Sequence, residues 1–198
     1  MRGFALFSAS ILASIALSAP AVAEGAPDLS PLACAWGKLP DAEQTRLRDE
    51  FKVELGDGGF TLHFGAANPA ATADAARECQ LTLAPPQLEQ LALALSRRAA
   101  EEKARKGIAD KGEKPESIQT ALDKMHEGKR EMIGNKYGCP GSHTSVGEWE
   151  ESVKGAVRRA NLRFKDGRAY AWVSLGLYAV MAEEGAIRRM TGKADACS

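Results

Sequence analysis

Apolar residues recur at helical spacing along most of the chain, and the breaks between runs carry glycine or proline. From Pro40 onward, Leu47, Phe51 and Leu55 fall at i, i+4 and i+8. Asp41 and Glu43 stand in the first turn, where the helix dipole favours acids. The spacing predicts a helix that ends at Gly56 and Asp57-Gly58-Gly59. Residues 60–64 then alternate Phe, Thr, Leu, His, Phe. With no strong partner strand elsewhere, they predict an extended loop that inserts apolar side chains into the core.

Asn68-Pro69 pairs a capping residue with a first-turn residue and opens a short helix running to Cys79. Pro85-Pro86 opens another, with Leu88, Leu91, Leu95, Ala92 and Ala99 facing inward. Its continuation over 97–106 is dense in Arg, Lys and Glu and reads as a solvated helix end laced with ion pairs. An exposed loop is expected over 107–115. A helix from Pro115 follows, its stripe formed by Ile118, Leu122, Met125, Met132 and Ile133. Ser145 and Glu148 form a capping box ahead of Val146, Trp149, Val153, Val157 and Ala160, the cleanest amphipathic pattern in the chain. Residues 167–190 make the last helix. Its run 169–182 is almost wholly apolar yet too short for a bilayer, which predicts the central helix of a bundle. The fold class is therefore all-α, an irregular bundle of about six helices.

The first 23 residues change this picture by setting the compartment. Arg2 supplies a positive start, residues 4–17 an uncharged apolar run, and Pro20-Ala21-Val22-Ala23 a small-residue cleavage site. This is the pattern of a cleaved signal peptide on the general export route, and it predicts a periplasmic protein with no stable membrane span. Residues 24–33 read as a flexible lead and 34–198 as a single helical domain. In an oxidising compartment the four cysteines are expected as pairs, Cys34 with Cys79 and Cys139 with Cys197, each pair bracketing one half of the domain. Their wide spacing contains no C-x-x-C, which excludes thioredoxin-type and c-type haem chemistry.

Formal net charge is +0, but its distribution is uneven. Residues 24–96 hold 5 Lys/Arg against 11 Asp/Glu, and residues 97–198 hold 20 against 15. That asymmetry falls far short of a nucleic-acid binder. The basic string Arg158, Arg159, Arg163, Lys165 and Arg168 is the one candidate binding feature, suited to a protein partner or an anionic envelope component.

Catalytic patterns are faint. His63, His126 and His143 lack the spacing that places ligands on one face, so neither a metal nor another cofactor is expected. Gly141-Ser142-His143 sets a serine beside a histidine without the strand–turn–helix context of a nucleophile. Trp36, Trp149, Trp172, Tyr170 and Tyr178 fit a core better than a pocket. The chain thus reads as an exported binding module. The alternative is a small cell-envelope hydrolase that draws a carboxylate from Glu148, Glu150, Glu151, Glu183 or Glu184.

Overall fold

The apolar stripes become eight helices and one hairpin among the described residues of the computed structural model, which are 26–56, 59–137, 139 and 146–195. In chain order they are α1 (Ser30–Lys38), α2 (Asp41–Glu50), β1 (Lys52–Gly56), β2 (Gly59–His63), α3 (Pro69–Glu78) and α4 (Pro85–Ala109). They continue as α5 (Ser117–Leu122), α6 (Glu127–Tyr137), α7 (Val146–Arg159) and α8 (Gly167–Met190). The expected signal segment, Ser145 and His143 lie outside the described residues.

α4 and α8 are the axis of the fold. They run antiparallel: Gln87 Nε2 donates to Met190 O at 2.9 Å at one end, and Gly107 abuts Trp172 at the other. α8 is enclosed over its second half, where residues 181–190 are all buried. One apolar cluster gathers Ile108, Ile118, Leu122, Val153, Val173 and Leu177 around the first half of α8. A second gathers Leu32, Trp36, Leu47, Leu91, Leu95 and Ile187 around the other end. Asn68 caps α3 as its sequence position predicts, accepting from Ala70 N and Ala71 N. The Cys34–Cys79 disulfide, with Cα atoms 6.0 Å apart, ties α1 to the end of α3.

α6 crosses α8 at two glycines. A β-carbon on Gly185 would strike the Gly134 carbonyl, and one on Gly134 would strike the Met181 carbonyl. Both obstacles are backbone, so neither can swing aside as a side chain would. Gly185→Ala is therefore expected to cost about 3 kcal/mol, the upper end of ordinary overpacking. Urea unfolding checks this. A loss well under about 1 kcal/mol would mean that the two helices separate freely.

The helical class holds, and several sequence expectations are corrected. There is a sheet: β1 and β2 pair antiparallel in the register Lys52↔His63 and Val53↔Leu62. Lys52-Val53-Glu54-Leu55 alternates as residues 60–64 do, and pairing across the glycine-rich turn overrides the helical stripe of Leu47, Phe51 and Leu55. Phe51, Val53 and Leu62 pack with Phe64 and Trp172 against α4 and α8. The lead is shorter than 24–33, because α1 opens at Ser30 and buries Leu32. The exposed loop begins after Ala109, since Gly107 and Ile108 are buried in α4. The single helix expected from Pro115 is two. The chain turns at 123–126, which lets α5 follow the first cluster while α6 meets α8 at its glycines, and Met132 is left exposed. The described residues show one disulfide where two were expected, because Cys197 lies outside them.

Candidate functional site

The largest correction concerns 97–106, expected to be solvated. α4 carries a buried stripe of Ala94, Arg97, Glu101, Ala104 and Ile108, at helical spacing and with two charges inside it. Arg97 is only 6% exposed. It lines a cleft of about 630 Å³ between the first half of α4 and residues 64–67, the segment that leaves β2. Phe64, Ala66, Ala67, Pro86, Ala92 and Leu93 supply apolar walls; Glu89, Gln90 and Ser96 are the other polar lining residues.

The Arg97 guanidinium carbon lies 3.7 Å from the Phe64 ring centroid, a cation–π contact that covers one face of the ion. Its Nε has no hydrogen-bond partner. Burial pulls the Arg97 pKa down to about 10, with Tyr178 opposing the shift and Arg189 adding to it. The group therefore remains a cation at neutral pH, poorly hydrated and incompletely bonded. Arg189 stands behind the cleft. Its Nε donates to Gln90 Oε1 at 2.8 Å and its Nη1 to Asn135 O at 3.0 Å, and burial lowers its pKa as well.

Deeper between α4, α6 and α8 lies a layer of buried acids. Glu101 accepts from Arg98 Nη1 at 2.8 Å and from Arg105 Nε at 2.8 Å. Glu184 receives both arms of the Arg130 fork, Nε at 2.8 Å and Nη2 on the other oxygen. Glu183 is fully buried, with neither carboxyl oxygen hydrogen-bonded and Arg98 3.9 Å away. Burial pushes its pKa well above the usual carboxylate range, and Glu101 beside it pushes the same way. A raised glutamate is what the hydrolase alternative requires, but this one lies in the sealed core and does not line the Arg97 cleft.

The basic string does not converge on one point. Arg158 and Arg163 meet Lys154 and Tyr170 around a shallow depression of about 490 Å³. Arg159 faces another, with Lys124, His126 and Lys129, and donates to Lys124 O at 2.8 Å. Lys165 and Arg168 are exposed in the α7–α8 connection and the first turn of α8; the backbone N–H of Lys165 bonds Glu113 and that of Arg168 bonds the Asp166 cap. Among the hydrolase candidates, Glu150 and Glu151 are exposed, while the side chain of Glu148 lies outside the described residues.

Among the described residues, no group of three or more His, Cys, Asp and Glu gathers as a metal site would require. Sequence reading missed Arg97 because charge density was weighed over period. The three- and four-residue steps from Ala94 to Ile108 were the available signal. No family model matches the chain, and neither a curated protein nor a solved structure matches it.

Proposed function

We propose that the protein is an exported, non-catalytic binding protein that takes an anionic ligand in the cleft at Arg97. One observation carries the reading: Arg97, a buried cation, lines a cleft whose other walls are mostly apolar. An isolated charge in such a place is costly, and an anion bound against it relieves that cost. Export rests on the N-terminal pattern, and the Cys34–Cys79 bridge is compatible with it. Among the described residues no helix is long and apolar enough to cross a membrane. The second bridge, Cys139–Cys197, belongs to this proposal, supported by the absence of free cysteines among the described residues. The depression of Lys154, Arg158 and Arg163 enters as a secondary contact for an acidic partner.

The test uses the anionic fluorophore 8-anilinonaphthalene-1-sulfonate with the folded chain. Saturable binding at one site is expected, weakened roughly tenfold or more by Arg97→Gln, the loss that follows from removing a charged hydrogen-bond donor. Equal binding by a folded Arg97→Gln chain would remove the cleft from the reading.

A further inference from the structure

Polar groups are few in the cleft, and two of them are engaged within the fold. Ser96 Oγ donates to Ala92 O at 3.0 Å, and Gln90 Oε1 accepts from Arg189. Arg97 is the one cation among the lining residues. A sugar or an extended peptide would bring many polar groups into a wall that leaves them unbonded, which is expensive. The matching ligand has one acidic head and little other polarity. Its head carries a single charge, matched by the one lining cation, while Glu89 opposes any excess. Ala66, Ala67 and Ala92 project little from the walls, while Phe64, Pro86 and Leu93 bound the space they leave. The volume of about 630 Å³ sits within the range of small-molecule sites, roughly 300–1,000 Å³.

We infer that the ligand is a single-chain monocarboxylate, its head on Arg97 and its alkyl chain along Ala66, Ala67, Ala92 and Leu93; this rests on the anion-binding reading above. The planar guanidinium suits a carboxylate, since it offers a fork of donors in one plane while its face stays on the Phe64 ring. The cleft is open along one side, so each methylene gains about half of what full burial would give, roughly twofold in affinity.

The experiment displaces the same fluorophore with hexanoate, octanoate, decanoate and dodecanoate, and with acetate, glutarate and dodecyltrimethylammonium as comparisons. Affinity is expected to rise roughly twofold per methylene along the series and to fall tenfold or more for every member in Arg97→Gln. Glutarate and the alkylammonium should compete weakly. Ala92→Phe keeps the cation and fills the trough. It should erase the chain-length dependence without abolishing the weak acetate-like component, and it decides the matter should Arg97→Gln fail to fold. If acetate or glutarate displaces the fluorophore as well as dodecanoate does, anion binding stands and the alkyl-chain inference falls. If the alkylammonium competes equally and Arg97→Gln changes nothing, both fall.

Discussion

Replacing Cys34 and Cys79 together by serine is expected to lower stability by about 4 kcal/mol, the chain-entropy value for a cross-link spanning 45 residues. The figure is large because of what that loop contains. The second half of α1, α2, the hairpin and all of α3 lie between the two cysteines, and each element is too short to be stable alone. Without the bridge, these elements depend on packing against α4 and the end of α8, through Leu32, Trp36, Leu47 and Ala75. The cleft shares that dependence. Residues 64–67, its outer wall, lie inside the closed loop and reach the rest of the chain through the hairpin on one side and α3 on the other. The double variant should therefore bind the fluorophore more weakly even where its circular dichroism remains native. Urea denaturation of the double variant beside the native chain, both without reductant, measures the first effect. A loss below about 1 kcal/mol would show that the α1–α3 layer holds itself in place by packing alone.

The parts of this fold legible in the sequence are those where one periodicity dominates. α8 was readable from its apolar run, α3 from Asn68-Pro69 and α4 from its opening prolines and leucines. The hairpin was harder, because Leu55 satisfies a helical stripe from Leu47 and a strand alternation from Val53 at once. Only the partner across the turn decides between them, and pairing is a tertiary fact. The α5–α6 break was hidden for a related reason. It answers to the glycine crossing of α6 and α8, and nothing at 123–126 announces that contact. The candidate site was the least legible part. Arg97 and Glu101 occupy core positions of the α4 stripe, yet their chemistry argues for solvent. Charges of this kind enter a core only with compensating groups beside them, here Arg98 and Arg105 on the same helix around Glu101 and Phe64, from the segment after β2, against Arg97. By contrast, the exposed string from Arg158 to Arg168 drew the eye because surface charge is visible in a sequence, whereas convergence is not.

The acid layer gives the second large effect. Glu183→Gln is expected to make the protein more stable at pH 7–8 and to flatten its dependence on pH. Glu183 faces Glu101 and Arg98 from α4 and has Glu184 as its neighbour on α8, with Arg105 and Arg130 already engaged by Glu101 and Glu184. Its proton is therefore held in the folded state well above its ordinary value of 4.5. Below that value the folded and unfolded chains both keep the proton, and Glu183 contributes no difference. As the pH rises, the unfolded chain ionises while the folded chain still binds its proton, so stability falls by up to about 1.4 kcal/mol per pH unit until the buried carboxyl ionises as well. Other groups have the opposite sign on the acid side. Glu43, whose pKa the Arg46 hydrogen bond lowers, adds stability above the usual carboxylate range and loses it as the pH drops. The native protein should thus be most stable in mildly acidic solution, and its decline toward pH 8 should carry the signature of Glu183. Glutamine has the same shape and no charge to remove. Its amide can donate to the Glu101 carboxylate, so the variant keeps the packing and sheds the penalty. Urea midpoints at pH 5, 6, 7 and 8 compare the two chains: near-equal values at pH 5 and a gap widening toward pH 8 are expected. Parallel curves would mean that Glu183 is ionised and paired with Arg98 across their 3.9 Å separation, and that the α4–α8 interface carries a true ion pair at its centre.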